Sequence, residues 1–296
     1  MKVLVTGIKG LLGTELSNIL TQQKDDVSGL DLEGSSSTAV PRIYGVDLCD
    51  FDPTYEIITR LNPDVVIHCA AQANVDECER NPEMAYKMNA MAARNVAIAC
   101  QRFDTAMLYI STDYVFCGHD TPKTGYTEYD EPSPVGVYAK TKLEGERQVK
   151  EFVLKHYIVR PAWLYGSKRS NFITQIADAL INNKTTKQVE DMISSPTNVK
   201  DLAAAIAFLV KTGSFGTYHV TNSGWASRYE VACYIADLLS APRSLIQKCK
   251  LSDLKLLAPR PGFSGLNHFT WKLNGYKHLR SWQDAVKEFL LENKYL

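Results

Sequence analysis

The chain begins with a short apolar segment that leads directly into a glycine-rich run. Residues 2–6 read KVLVT, and the run that follows, GIKGLLG, places Gly7, Gly10 and Gly13 three residues apart. A helix-like segment, residues 11–20, overlaps the end of this run. Glycine permits both a sharp turn and a close approach of the backbone to a phosphate, and the first amides of a helix bind anions. Although glycines also punctuate ordinary turns, a strand, a glycine run and a helix in this order predict a dinucleotide-binding site.

Apolar segments of strand length alternate with segments of helical periodicity through the first half of the chain. This alternation predicts a parallel sheet covered by helices on both faces. Strands are predicted at 2–6, 26–30, 43–46, 64–69, 106–111 and 156–160, helices at 11–22, 53–61, 82–101 and 137–152, and a flexible loop at 34–38. Later helices are predicted at 171–182, 199–211, 227–239, 251–257 and 281–292, with a strand at 216–221.

These elements predict an α/β fold with two lobes. We expect a Rossmann-type doubly wound parallel sheet in residues 1–165, to which parts of 197–221 return. Residues 166–296 are expected to form mainly a smaller C-terminal lobe that binds substrate. The lobes should meet over the carboxyl ends of the strands, where α/β sheets place their ligands.

Composition narrows the classes of function. Lys and Arg total 33 and Asp and Glu total 33, so no net charge attracts nucleic acid or an anionic membrane, and a small-molecule substrate is favoured. The longest apolar run, residues 202–210, has nine residues and is too short to span a bilayer. Met1 is followed at once by the first strand, so no secretion signal is expected. Seven cysteines without a Cys-x-x-Cys pair and six scattered histidines favour reduced thiols without a metal site. We expect a cytoplasmic protein.

The choice of dinucleotide depends on Asp31 and Lys9. Asp31 lies at the end of the second predicted strand, eighteen residues after Gly13. A carboxylate there accepts hydrogen bonds from the ribose hydroxyls of adenosine and repels a 2′-phosphate, which favours NADH. Lys9 counts in the opposite direction, because its ammonium could reach a 2′-phosphate. The sequence therefore predicts NADH or NADPH as cofactor, with NADH slightly favoured.

A tyrosine and a lysine at helical spacing follow the glycine run by more than a hundred residues. Tyr138 and Lys142 are four residues apart and lie on one helix face. A nearby ammonium stabilises phenolate, so it would lower the pKa of the tyrosine toward that of a general acid or base. The pair alone is common by chance, but it follows a predicted strand that ends in hydroxyl residues. Thr112 there could hydrogen-bond a substrate carbonyl, and the three residues together predict a catalytic site.

These motifs together resemble the extended short-chain dehydrogenase/reductases, and specifically the dTDP-4-dehydrorhamnose reductase family. The resemblance spans nearly the whole chain and is carried by the ordered segments TGIKGLLG, STDYVF, YAKTK and RPAWLYG, with further matches in AAQANVD, MNAMAARN, SPT and GTYH. It implies reduction of the C4 ketone of dTDP-4-dehydro-L-rhamnose to dTDP-L-rhamnose by NADH or NADPH. The implied partner is therefore a nucleotide sugar.

The resemblance also implies roles for individual residues. Tyr138 would protonate the sugar C4 oxygen as hydride arrives, Lys142 would hold the nicotinamide ribose, and Thr112 would orient the carbonyl. The implied cofactor-binding positions are Gly7, Lys9, Gly10, Leu11, Leu12, Gly13, Asp31, Leu32, Asp47, Leu48, Ala70, Ala71, Gln72, Asn89, Tyr138 and Lys142. The implied substrate-binding positions are Val75, Thr112, Asp113, Trp163, Asn171 and Arg260. Arg260 is placed against the substrate diphosphate, with a surface ion pair as the alternative, and Trp163 has a core position as its alternative.

Three positions depart from the pattern of the family. Cys117 stands where the family often has Asp, and Gly136 and Ala139 replace Asn and Gly beside the catalytic tyrosine. None of these departures removes a proton donor. They bear on the substrate more than on the reaction class.

Other functions on the same scaffold stay open. Related dehydratases resemble one another in placing Asp-Glu after the catalytic threonine, whereas Asp113 and Tyr114 follow Thr112 here, which argues against dehydration. Another nucleotide-sugar reductase or an epimerase is an alternative. So is a non-catalytic dinucleotide-binding subunit similar to the regulatory subunit of methionine adenosyltransferase. The sequence is also compatible with a homodimer.

Overall fold

The computed structural model of the protein describes residues 1–34, 42–118 and 124–296. Its strands, in chain order, are β1 (Lys2–Thr6), β2 (Asp26–Asp31), β3 (Arg42–Gly45), β4 (Val65–His68), β5 (Ala106–Ile110), β6 (His156–Arg160), β7 (Leu164–Tyr165), β8 (Thr186–Val189), β9 (Ile193–Ser194), β10 (Thr197–Asn198), β11 (Gly216–His219), β12 (Ala226–Ser227) and β13 (Ile246–Cys249). Its helices are α1 (Leu11–Gln22), α2 (Phe51–Leu61), α3 (Val75–Arg80), α4 (Pro82–Tyr86), α5 (Ala92–Arg102), α6 (Val137–Phe152), α7 (Phe172–Ile181), α8 (Val199–Leu209), α9 (Arg228–Leu238), α10 (Phe269–Leu273) and α11 (Trp282–Glu292).

The centre of the molecule is a seven-stranded parallel sheet in the order β11-β6-β5-β4-β1-β2-β3. The order of the strands reverses between β1 and β4, and ligands of such sheets bind outside the carboxyl ends of the strands at this switch point. The predicted Rossmann-type fold class is confirmed. The division into lobes at residue 165 stays a prediction, although β11 does pair with β6 within the main sheet.

Both faces of the sheet are covered, as the apolar character of β1 and β4 requires. Val3 and Val5 pack with α1 and α8 on one face, whereas Leu4 packs with α2 and α5 on the other, which is the two-residue alternation of a strand. Burying one such side chain contributes about 1.5–3 kcal/mol. This two-sided packing fixes the strand ends that carry the predicted site residues.

The C-terminal elements form a second apolar cluster beside the sheet. Buried residues of α7, α9 and α11, among them Ile176, Val231 and Phe289, pack around Tyr165. The short strand β13 pairs with β8, and β12 pairs with β9. In the ranges that the structure describes, no helix combines the length and the apolarity needed to cross a bilayer.

The predicted ends of most helices and strands lie within two residues of the observed ends, and the exceptions have physical causes. The predicted helix 251–257 is wrong, because only a single 3₁₀ turn forms at Leu251–Asp253 and the leucines that follow are exposed rather than packed. The predicted helix 82–101 is interrupted by a π-helical turn at Lys87–Met91. Helix α3 was not predicted, and the loop predicted at 34–38 lies outside the described residues except for its first glycine.

Candidate active site

Three cavities lie along the carboxyl edge of the sheet, and neighbouring cavities share lining residues. We name them the outer cavity, of about 370 Å³, the central cavity, of about 620 Å³, and the lobe cavity, of about 160 Å³. Predicted residues in the outer cavity are Gly7, Lys9, Gly10, Asp31, Leu32, Asp47, Leu48, Ala70 and Ala71. Those in the central cavity are Gly10, Leu11, Leu12, Ala71, Gln72, Thr112, Asp113, Tyr138, Lys142 and Trp163. Those in the lobe cavity are Val75, Thr112, Asp113, Tyr138 and Trp163.

The glycine run forms a tight turn between β1 and α1. Gly7 has a φ of 63°, and a Cβ added to it would lie 2.8 Å from the backbone of Ala70. A Cβ on Gly13 would lie 2.3 Å from the carbonyl oxygen of Gly7, so this glycine lets the helix approach the turn. Helix α1 begins behind Gly10 without a side-chain cap. Its N-terminus therefore opens onto the central cavity with the geometry that favours a phosphate.

Asp31 supports this turn while it lines the outer cavity. One carboxylate oxygen accepts a hydrogen bond of 2.9 Å from the backbone N–H of Lys9, and the other accepts one of 3.0 Å from the N–H of Leu32. Each oxygen keeps a further lone pair, so a ribose hydroxyl can also donate to it. The predicted contact of Asp31 with ribose is compatible with this position and stays a prediction.

Asn89 hydrogen-bonds the backbone of Gln72, which lines the central cavity. Its side-chain oxygen accepts from the Gln72 N–H at 2.8 Å, and its amide nitrogen donates to the Gln72 carbonyl at 3.1 Å and to the Thr141 hydroxyl at 3.0 Å. The residue is fully buried within the π-helical turn, a feature that is frequent at functional sites. Asn89 thus holds the Gln72 backbone in place rather than lining the cavity itself.

Thr112, Tyr138 and Lys142 converge in the central cavity. Thr112, Tyr138 and Lys142 all line this cavity, and the Lys142 ammonium lies 4.1 Å from the ring centroid of Tyr109. Burial lowers the pKa of Lys142 to about 7, an effect that the charge of Glu146 opposes. The fold thus brings the three predicted catalytic residues together in the central cavity.

The predicted lowering of the Tyr138 pKa is wrong, because the structure raises this pKa instead. Burial raises this pKa above its ordinary value and outweighs the influence of the Thr112 hydroxyl, which acts to lower it. The cause is that a phenolate loses its hydration in this cavity. Tyr138 is therefore held in its protonated form, which is the form that a proton donor requires.

Asp113 is a buried carboxyl group at the junction of the central and lobe cavities. It accepts hydrogen bonds from the hydroxyls of Ser194 at 2.8 Å, Ser264 at 2.5 Å and Thr112 at 3.2 Å. Burial raises its pKa to about 6, against the lowering effect of these hydroxyls. The serines come from the C-terminal part of the chain, so Asp113 ties that part to the end of β5.

Trp163 separates the central and lobe cavities. Its φ is 41°, in a region where a bulky residue is an outlier, and strain of this kind is concentrated at functional sites. The backbone is held there by a hydrogen bond of 3.1 Å from the Thr197 N–H to the Trp163 carbonyl. The indole contacts Phe172, with ring centroids 5.1 Å apart. Its position on both cavities favours the predicted substrate-side role over the alternative of a core residue.

The chain is similar along nearly its whole length to proteins of one family. A family model described as the RmlD substrate binding domain matches residues 1–295. A dTDP-4-dehydrorhamnose reductase from Streptomyces griseus is 35% identical over 294 residues, covering 96% of this chain and 91% of that protein. The chain belongs to the dTDP-4-dehydrorhamnose reductase family. The predicted family resemblance is therefore confirmed.

Two further relatives of the chain bear on its function. The crystal structure of a dTDP-4-dehydrorhamnose reductase from Bacillus anthracis in complex with NADP has a TM-score of 0.89 at 34% identity, covering 99% of this chain and 100% of that chain. Methionine adenosyltransferase 2 subunit beta from Mus musculus is 30% identical over 308 residues, covering 99% of this chain and 90% of that protein. The relatives of this family member thus include both a reductase and a subunit of a different enzyme.

Two residues that resemblance to this reductase family assigns to substrate are engaged elsewhere. The side chain of Asn171 caps α7, where its oxygen accepts from the N–H groups of Ile173 at 3.0 Å and Thr174 at 3.3 Å. The guanidinium of Arg260 donates to Asp76 at 2.9 Å and to the Ala258 carbonyl at 2.8 Å. Neither residue is among those that line the three cavities in the described part of the chain. Their predicted substrate contacts stay predictions.

Several cavity residues were missed by the sequence analysis. In the outer cavity these are Leu30, Val46, Cys49, Cys69, Met88 and Ala92; in the central and lobe cavities they include Ala73, Asn74, Ser111, Tyr114, Arg169, Met192, Ser194, Arg228 and Ser264. Cys69 follows β4 directly, so the rule that ligands lie at strand ends could have found it. Arg228 and Ser264 carry no such signal, because they reach the cavity from distant segments.

Proposed function

We propose that the protein reduces the C4 ketone of dTDP-4-dehydro-L-rhamnose to dTDP-L-rhamnose with NADH or NADPH. The observation that carries this proposal is the convergence of Thr112, Tyr138 and Lys142 on a cavity that continues to the glycine turn. A proton donor and a dinucleotide site are thereby placed side by side. The family membership and the NADP-bound Bacillus anthracis relative support the same reaction.

The residues around the outer and central cavities fit a dinucleotide. The turn at Gly7 and Gly10 and the uncapped start of α1 would hold the diphosphate, and Asp31 would accept from the adenosine ribose. Lys142 would hold the nicotinamide ribose. When bound, the nicotinamide supplies the hydride.

The chain itself supplies the proton and its control. Tyr138 keeps its proton until negative charge develops on the C4 oxygen, because burial raises its pKa. It then donates the proton to that oxygen, while the Thr112 hydroxyl hydrogen-bonds the same atom and fixes its position. Glu146 favours the charged form of Lys142 and opposes the effect of burial. A cationic Lys142 would stabilise the phenolate that donation leaves behind.

We propose that the protein works in the cytoplasm, which its seven cysteines without a Cys-x-x-Cys pair support. The homodimer and the slight preference for NADH also stay predictions. The relative from Mus musculus supports the alternative of a regulatory subunit, but that alternative gives no role to the buried, protonated phenol beside Thr112.

The reaction can be tested with substrate made in situ. The dTDP-4-keto sugar is incubated with the protein and with NADH or NADPH in turn, and both cofactor oxidation and dTDP-L-rhamnose are measured. We expect stoichiometric oxidation and product formation with wild type and a large loss with Tyr138→Phe. Absence of product with both cofactors would reject the proposed reaction, whereas tight binding to a methionine adenosyltransferase catalytic subunit would support the alternative.

A further inference from the structure

The lobe cavity contains one cationic side chain among the residues that the structure describes. Arg228 is the first residue of α9 and lines this cavity together with Tyr114, Tyr138 and Trp163. Its backbone is fixed by a capping box, in which the Ser227 hydroxyl accepts from the Glu230 N–H at 3.1 Å and the Glu230 carboxylate accepts from the Ser227 N–H at 2.7 Å. The arginine therefore projects from a rigid helix start.

The guanidinium of Arg228 is held by aromatic rings. It lies 5.2 Å from the ring centroid of Trp163 and 4.9 Å from that of Phe172, both within the range of cation–π contact. Among residues 1–34, 42–118 and 124–296, no carboxylate forms an ion pair with it. The neighbouring charge is instead another cation, Arg260, and burial lowers the pKa of Arg228. A half-buried cation without a counter-charge is costly unless a ligand supplies one.

Two serine hydroxyls of this cavity and the neighbouring Arg260 are already engaged. Ser194 and Ser264 both donate their hydroxyls to Asp113, the carboxyl group that also lines the cavity. The guanidinium of Arg260 is neutralised by Asp76. Arg228 is thus the cationic donor that the described residues of the lobe cavity offer to an anion.

We propose that Arg228 binds the phosphate group next to the reacting sugar and thereby restricts the substrate to nucleoside diphosphate sugars. This inference rests on the proposed function and adds a specificity-determining residue to it. A guanidinium can bind two phosphate oxygens through its N–H groups while it stays in contact with the rings of Trp163 and Phe172. These contacts restrict the guanidinium before substrate arrives, so less conformational freedom is lost on binding.

The test compares a phosphorylated ligand with a neutral one. Binding of dTDP and of thymidine to the full-length protein saturated with NADP⁺ is measured by calorimetry for wild type and Arg228→Met. The matched control is Arg243→Met, which removes the same charge from an exposed arginine that pairs with Asp237. We expect Arg228→Met to weaken dTDP binding at least about tenfold and to leave thymidine binding within about twofold, with no change in the control. Unchanged dTDP affinity, or an equal loss for thymidine, would overturn the proposal.

Two further measurements keep this inference separate from the proposed reaction. Arg228→Lys keeps the charge but loses the planar fork, so its affinity for dTDP should lie between those of wild type and Arg228→Met. If Arg228→Met does not fold, Arg228→Lys and Arg228→Gln replace it in the test. The proposal is then overturned if both of these variants bind dTDP as tightly as wild type does. A wild-type protein that binds dTDP through Arg228 but does not reduce the keto sugar would reject the proposed reaction alone. A fully active Arg228→Met with an unchanged KM for the keto sugar would reject this inference alone.

Discussion

The carboxylate of Glu146 pairs with the guanidinium of Arg160 through two hydrogen bonds of 2.8 Å, in a fully buried position. Ser111, the neighbour of Thr112, donates to the same carboxylate at 2.5 Å. Glu146 also lies one helical turn after Lys142. This ion pair therefore connects α6, which carries the proposed proton donor Tyr138, to the end of β5, which Thr112 follows.

Removal of one charge of this pair should cost stability. Glu146→Gln leaves Arg160 buried without its counter-charge, and we expect the free energy of unfolding in urea to fall by about 3–5 kcal/mol. Glu144→Gln is the control, because Glu144 lies on the same helix and pairs with Arg147 near the surface. The control should lose less than about 1 kcal/mol. Equal losses in the two variants would show that the buried pair has no special role.

The phenol of Tyr138 should be required for turnover but not for cofactor binding. In Tyr138→Phe we expect kcat to fall by about 10²–10⁴-fold, since the proton donor is lost, while the Kd for NADPH stays within about twofold. Stopped-flow measurement of hydride transfer and fluorescence titration of NADPH separate the two effects. Tyr129→Phe removes a hydroxyl from an exposed tyrosine and should leave both values unchanged. Near-normal turnover in Tyr138→Phe would remove this residue from the mechanism.

Local patterns were sufficient to predict the nucleotide half of the protein. Apolar segments of strand length and the glycine spacing located β1 and α1, since these depend on backbone sterics and burial within a short window. The same approach placed Tyr138 and Lys142 on one helix face. It predicted the wrong direction for the Tyr138 pKa, because desolvation depends on everything packed around the ring.

The substrate side of the site depends on contacts between distant segments. The hydroxyls that hold Asp113 come from Ser194 and Ser264, which are 81 and 151 residues away in the chain. Arg228 faces the lobe cavity because α9 packs on α7 beside Trp163, and no local motif encodes that packing. The predicted helix at 251–257 failed for the same reason, since its leucines have no surface to pack against.

The carboxylate of Asp31 should set the preference between the two nicotinamide cofactors. In Asp31→Asn the acceptor for the Lys9 N–H is kept, but the charge that would repel a 2′-phosphate is removed. We expect the ratio of kcat/KM for NADPH to that for NADH to rise by about tenfold, which corresponds to roughly 1.4 kcal/mol. Asp26→Asn, at the exposed start of the same strand, should leave the ratio unchanged. An unchanged ratio in Asp31→Asn would contradict the predicted role.

The burial of Lys142 should make the stability of the protein depend on pH. Its pKa is about 7 in the folded protein and about 10.5 when unfolded, so between these values the unfolded chain binds more protons and stability rises with pH. The cost of burying the ammonium is therefore largest below pH 7. Lys142→Met should increase the free energy of unfolding in urea at pH 6 by roughly 2–5 kcal/mol, and this increase should be smaller at pH 9. We expect the same variant to lose reductase activity. The control is Lys140→Met, at an exposed position of the same helix, which should show no such pH dependence. If Lys142→Met increased the free energy of unfolding by the same amount at pH 6 and pH 9, a charged, desolvated lysine at this site would be contradicted.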